Sequence, residues 1–457
     1  MITILIMLEL FPQHVSNQLL KKSNPVRFTG LNASGSNKYN ERKYEVNSAN
    51  EDVMKMWKKN SVLFLFSQNT SLFGSSLVQY AIMWYIVLNT QSGMMMTIAV
   101  LCGFLPTFVL SPIAGVWADR YNRKMLIVLA DALVATATLF LAITFLMGYE
   151  EFWLLFLMYA IRAVGTGIQT PAIGAILPQF VPEDKLTKVN GINGSIQALT
   201  LLASPAISAL LLTVTAIEMI FFIDVITAAI AITTVLFFLH IPVHAKALQE
   251  QTNDYITDLK LGAEYIKNHD FLKLFLLFYA IFFILIAPAS FLTPLQVVRS
   301  FGEEVWRLSA LEISFSLGMM AGGAIIATWG GFKNKTHTLF LASVMNGICV
   351  FALGIVPVFW IYLFFFGIIG VSIPFFNTPS TVLLQEKVEE SFLGRVFGVT
   401  VMISTSMMPL GMLIFGPISD SIKIEWMLIG TGILIFIQGF FLIGSKVLRE
   451  AGKPKVV

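Results

Sequence analysis

Gly115-Val-Trp-Ala-Asp119-Arg120-Tyr-Asn-Arg123-Lys124 is a short charged interruption between two long apolar runs, near residues 95–117 and 125–147. A hydrocarbon core of about 30 Å takes roughly 20 apolar residues in a helix, so each run can cross a bilayer. The stretch therefore reads as a loop joining two spans on one face of a membrane. Its three basic side chains, Arg120, Arg123 and Lys124, mark that face as the cytoplasmic one. Composition agrees: 56% of residues are hydrophobic, 12% are charged and mean hydropathy is +0.77, a surface that water would not dissolve.

Working outward, apolar runs recur near 61–87, 95–117, 125–147, 153–177, 190–213 and 217–240. A second set lies near 272–297, 307–330, 338–356, 359–384, 395–418 and 425–446. Runs five and eleven are the least regular, because both carry Pro and several polar side chains. Loop charges test the count. Basic residues collect before run one (Lys55, Lys58, Lys59), after run four (Lys185, Lys188) and between runs six and seven (Lys246, Lys260, Lys267, Lys273). They continue after run eight (Lys333, Lys335), after run ten (Lys387, Arg395) and in the tail. The alternate loops hold Arg299, Arg307 and Lys423 beside Glu150, Glu151, Glu303 and Glu304. This alternation predicts an all-α membrane protein of twelve transmembrane helices with both termini cytoplasmic.

The expected organisation is an N-terminal extension (1–53), a first six-helix bundle (54–240), a cytoplasmic linker (241–270), a second bundle (271–446) and a cytoplasmic tail (447–457). Residues 23–52 are polar and lack helical period, so the extension reads as disordered and dispensable, with the functional chain starting at Met54 or Met56. Within the linker, the apolar residues between Asp258 and Lys267 recur at helical spacing, as in an amphipathic surface helix. The halves also resemble each other. Thr170-Pro171 followed by Leu186, Lys188, Val189 and Gly191 recurs as Thr378-Pro379 followed by Leu393, Arg395, Val396 and Gly398. A parallel repeat of six spans is the architecture of rocker-type transporters.

The loop at 115–124, with its Gly, Asp-Arg and basic pair, resembles the signature loop of the major facilitator superfamily. Arg162-Ala-Val-Gly165-Thr-Gly167 is similar to the Arg-centred motif of its proton-coupled exporters, although Gly165 stands where Gln is usual. Ala203-Ser-Pro205 is a faint counterpart of the antiporter Gly-Pro motif. From about residue 54 onward, the chain resembles the macrolide-efflux (Mef-type) branch, on these motifs together with Thr170-Pro171-Ala172, Leu177-Pro-Gln-Phe-Val-Pro-Glu183 and Asp224. That resemblance implies two pseudo-symmetric six-helix bundles and export of a bulky drug from a bacterial cell by proton antiport. Siderophore, lipid and general multidrug exporters share the same features.

Residue chemistry supplies candidate sites. Gly115, Asp119, Arg120, Arg123 and Lys124 are candidates for conformational gating, with the cations serving as partners for acidic groups. A charge at mid-bilayer costs about 2.5–3.5 kcal/mol or more, so intramembrane charges are paired, hydrated or functional. Arg162, Asp224, Glu312 and Asp131 qualify as proton-coupling candidates. Arg162 and Asp224 lie at similar depth and can pair; Glu312 can be a coupling acid or a cation-recognising group; Asp131 is expected to pair with Arg123 or its neighbours. Polar stripes at helical spacing nominate Gln68, Asn69, Gln79, Thr166, Gln169, Asn193 and Gln197 as the cavity lining.

Other classes find no support. There is no phosphate-binding Gly-x-x-x-x-Gly-Lys loop, the five His are scattered, and the two Cys lie inside apolar runs. No enzyme activity, cofactor or metal is expected, and the small net charge of +3 gives nucleic acid no footprint. The expected partners are a small-molecule substrate, protons and lipid, with the chain working as a monomer.

Overall fold

The computed structural model describes residues 35–239, 261 and 264–453, with 35–55 described as backbone alone. Twelve helices among them are long and apolar enough to cross a membrane. They are α1 (Gly35–Thr90), α2 (Gly93–Arg120), α3 (Arg123–Leu146), α4 (Phe152–Ile176), α5 (Glu183–Val214) and α6 (Ile217–Thr233). After the linker come α7 (Asp270–Phe301), α8 (Val305–Trp329), α9 (Lys335–Leu353), α10 (Phe359–Lys387), α11 (Glu390–Ile418) and α12 (Ile424–Gly444). The two irregular runs both form helices. Pro205 sits inside α5, and Pro409 and Pro417 sit inside α11. Neighbouring helices make such breaks tolerable where the backbone is enclosed by protein.

One expectation needs correcting. α1 begins at Gly35, so residues 35–52 of the stretch expected to lack regular structure are helical here. The reason is propagation: no Pro or Gly occurs between Ser36 and Phe73, and Glu41, Arg42, Lys43 and Glu45 are good helix formers. The linker's expected amphipathic helix lies mostly outside the described residues; only 261 and Glu264–Lys267 are helical within them.

The packing repeats. Within the first half, α2 packs on α4, α3 on α4 and α6, and α1 on α5 and α6. Six helices later, α8 packs on α10, α9 on α10 and α12, and α7 on α11 and α12. The contacts that join the halves are equally matched, α2 with α11 and α5 with α8. The repeat seen in sequence is thus a repeat of helix neighbours.

The two ends of the barrel differ. Even-numbered helices start at the end that carries Glu150, Glu303 and Asp420, here called the acidic-loop face. Four of them open with an exposed Trp, at Trp153, Trp306, Trp360 and Trp426. Such a ring is what a lipid headgroup boundary selects, since indole pairs an apolar body with a polar N–H. Two apolar cores fill the first half, one near each face, around residues such as Phe145 and Phe221, and Phe64 and Ile176. Between them lies a layer of polar side chains.

Candidate substrate cavity and its charged layer

A cavity of about 1660 Å³ separates the halves. It runs from Trp84 and Pro294 near the acidic-loop face to Asn377, Thr381 and Gly398 toward the basic-loop face. The acidic end is shut. Trp84, Val87, Met96 and Ala209 of the first half join the core of the second half there. At the other end Gln197, Asn377, Thr381, Gly398 and Val401 are exposed. The cavity therefore opens toward the basic-loop face.

Arg162 of α4 is the centre of the polar layer. Its Nη1 donates to Asp224 Oδ2 of α6 at 2.7 Å, and Nη2 donates to the Ser75 carbonyl of α1 at 2.8 Å. Asp224 also accepts from Ser75 Oγ and Thr138 Oγ1, and it is 1% exposed. The two residues judged equal in depth are thus joined directly, and four helices converge on the pair. Asp131 of α3 behaves otherwise. Its Oδ1 accepts from Ser71 Oγ and Gln169 Nε2, both at 2.9 Å, while Oδ2 is buried without a partner. The expected pairing with Arg123 does not occur. Asp131 lies about two turns into α3, out of reach of the loop, and amide and hydroxyl donors from α1 and α4 take the cation's place. Glu312 of α8 lines the cavity from the second half and has no hydrogen bond or ion pair among the described residues.

Of the expected lining residues, Gln68, Gln79, Thr166, Gln169, Asn193 and Gln197 face the cavity. Asn69 does not. It is turned into the wall, donating to the Leu65 carbonyl and to Asn193 Oδ1. The lining from the second half was missed: Tyr279, Phe283, Phe291, Asn377, Thr381 and Met408. Aromatic and Met side chains are indistinguishable in sequence from lipid-facing ones, so only the Asn377-Thr378-Pro379 repeat of Thr170-Pro171 carried a signal.

The sequence profile of the Major Facilitator Superfamily matches residues 64–412. The chain belongs to that superfamily. A "Macrolide efflux protein A" of Streptococcus pyogenes is 32% identical over 83% of this chain and 95% of its own length. One from Enterococcus faecalis is 33% identical over 70% of this chain and 99% of its own. Among solved structures, a bacterial homologue of the iron transporter ferroportin in an inward-facing state superposes with a TM-score of 0.62 at 15% identity, covering 84% of this chain and 98% of that one. The protein is accordingly a multi-pass membrane transporter of the major facilitator fold.

The superfamily's signature loop is tied down within its own half. Arg123 donates to the carbonyls of Ala118 and Ala175, at the ends of α2 and α4. Lys124 donates to the carbonyls of Leu236 and Leu239, past the end of α6. Lys124 was expected to serve acidic groups; the carbonyl-rich helix C-terminus, a partial negative charge, takes that role instead. A Cβ at Gly115 would meet nothing within 4 Å. The side chains of Asp119 and Arg120 lie outside the described residues.

The opposite face carries an unforeseen latch between the halves. Asp420, in the α11–α12 turn, accepts from the backbone N–H of Gly93 at 2.7 Å and of Met94 at 3.0 Å, and from Ser92 Oγ at 2.8 Å. A carboxylate from one half thus caps the first turn of α2 in the other, where the helix dipole favours negative charge. Arg299 completes the latch through the carbonyls of Ser419 and Gln91 and through Asp420 at 3.1 Å. Burial alone would raise the Asp420 carboxyl, but the donors from Gly93, Met94, Ser92 and Arg299 outweigh it and hold the group below the ordinary aspartate range. In sequence, Arg299 is merely an exception to loop polarity. Nothing local announces that it and Asp420 meet across 121 positions.

Proposed function

We propose that the protein is a secondary exporter in a bacterial cytoplasmic membrane, moving a bulky, amphipathic, macrolide-like compound outward in exchange for protons. The observation that carries this reading is the cavity: large, lined by amides, hydroxyls and aromatic rings, and open on the face whose loops are basic. By the positive-inside rule that face is cytoplasmic, so the state is the one that loads from the cell interior. The similarity to the two macrolide efflux proteins supports the substrate class.

In this reading the first half handles protons and both halves hold the substrate. Asp131 is the proposed proton site, because it is a buried carboxylate with no cation beside it among the described residues and one oxygen unpartnered. Arg162 and Asp224, paired with each other in the same polar layer, bind α1, α3, α4 and α6 into one unit that moves as a body. Closing the basic-loop face and releasing the Asp420 latch then carries the cavity from one side to the other. The transporter works as a monomer, since each chain encloses its own path.

The test is expression in a bacterial host sensitive to drugs, scored for susceptibility to a macrolide panel with and without an uncoupler. Resistance that vanishes with the uncoupler is expected. Unchanged susceptibility to every macrolide sinks the substrate class, and export that survives collapse of the proton gradient sinks the coupling.

A further inference from the structure

Among the described residues, four charged side chains line the cavity: Asp131, Arg162, Asp224 and Glu312. Two are neutralised by each other, Arg162 and Asp224 at 2.7 Å. A third, Asp131, is 5% exposed and held by Ser71 and Gln169, which leaves it out of reach of a large solute. Glu312 differs from all three. Among the described residues it is the one cavity charge contributed by the second half, and it has neither hydrogen bond nor counter-ion; like Arg162 it is half-buried. Tyr80 of α1 lies within its electrostatic reach across the cavity.

Aromatic rings line the same cavity. Phe104 and Phe108 stack at 5.5 Å on one wall, and Tyr279 and Phe283 stand 4.8 Å apart on the other. A carboxylate in a cavity that also presents aromatic rings suits an organic cation, because the acid supplies the counter-charge and ring faces elsewhere on the wall can receive the rest of a large cationic solute. The volume and the apolar lining suit a large hydrophobic body attached to that ammonium. A bare metal ion would find no ligand set, since no cluster of three His, Cys, Asp or Glu occurs among the described residues.

We infer that Glu312 is a specificity site that selects an amphipathic organic cation carrying a single positive charge, such as one protonated amine. The inference rests on the exporter reading only for the direction of travel; recognition itself needs no gradient. Its test is therefore equilibrium binding to the purified full-length protein in detergent. Three probes are compared: a macrolide bearing a dimethylamino sugar, the same macrolide with one N-methyl replaced by an acetyl group so that the nitrogen is an uncharged amide, and tetraphenylphosphonium, a permanent cation. Wild-type protein should prefer the two cations. Glu312→Gln should weaken both by at least ~10-fold, the size of a lost charge-assisted contact, while leaving the acylated macrolide unchanged. Glu312→Asp should keep the preference.

Retained binding of the neutral probe shows that the variant is folded and its cavity intact. If Glu312→Gln binds cations as wild type does, or loses all three probes equally, the inference falls. If cells export nothing while purified protein shows the Glu312-dependent preference, the exporter reading fails and this one stands.

Discussion

At the scale of single residues, Arg162 and Asp224 illustrate how an ion pair in lipid is held in place. Each partner alone would be a buried charge without compensation, and removing one member of such a pair costs about 3–5 kcal/mol. Arg162→Ala or Asp224→Ala should therefore lower the melting temperature of the detergent-solubilised protein sharply. The double replacement Arg162→Met with Asp224→Leu should recover much of that loss, because it leaves no orphan charge. Equal melting of the singles and the double would mean that the pair is not what holds α4 to α6. Asp420 obeys a different logic. Its folded carboxyl lies below the unfolded value, so its contribution is complete above the ordinary carboxylate range and is lost only as pH falls through the depressed value. Across about pH 5 to 8, where an unpaired aspartate is fully ionised, the latch should hold constant. Spin labels at the exposed positions Tyr149 and Ile422, one in each half, provide the ruler. Their spacing should be flat over that range in wild type and should lengthen in Asp420→Ala, which removes the cap; a spacing that follows pH would assign the latch to another group.

At the scale of elements, the glycines separate the end that is shut from the end that is open. A Cβ at Gly93 would overlap Ser419 Oγ and the Gly416 carbonyl, so α2 and α11 touch here only because both positions lack one. At the basic-loop face Gly115, Gly194 and Gly398 would each accept a Cβ with nothing inside 4 Å. Gly93→Val should thus pry the acidic-loop face apart, whereas Gly194→Ala and Gly398→Ala should leave the present state undisturbed. Thiol labelling of a cysteine at Met96, buried in the shut end, reads the difference. Faster labelling in Gly93→Val, with wild-type rates in the other two, is the expected pattern. Much of this was legible beforehand. The twelve helices followed from apolar length and loop charge, and the signature loop and the intramembrane charges stood out because lipid makes them costly. The latch and the second-half lining did not stand out. Arg299 at the end of α7 and Asp420 in the α11–α12 turn lie at the membrane edge, where charge is commonplace, and a Phe facing a cavity carries the same letter as a Phe facing lipid. The start of α1 was misread for a related reason: a polar segment without amphipathic period still extends a helix once a neighbouring span has nucleated it.

At the scale of the molecule, the matched contacts α2 with α11 and α5 with α8 imply that the shut end and the open end are alternatives for one hinge. Each of these four helices runs the full depth, so the surfaces that meet at the acidic-loop face have continuations that part at the other. Rocking the halves would bring the basic-loop ends of the same helices together and break the Asp420–Arg299 latch. Access to the cavity should then be exclusive: open to one face in any state and never to both. Single cysteines at Gln197 and Thr381, on a background with Cys102 and Cys349 replaced, make this measurable with a reagent that does not cross lipid. In membrane vesicles of known orientation, both should label from the basic-loop side, and a reporter at Tyr121 should label from that side while one at Glu303 labels from the other. Glu312→Gln should not alter that sidedness, because it changes what is bound rather than how the halves meet. Gly398→Leu should lock it, since a bulky side chain there obstructs closure of the open end and holds the molecule in the present state. Labelling of Gln197 from the acidic-loop side in that variant would show that the two ends open independently, and a rigid-body exchange between two gates would have to be abandoned.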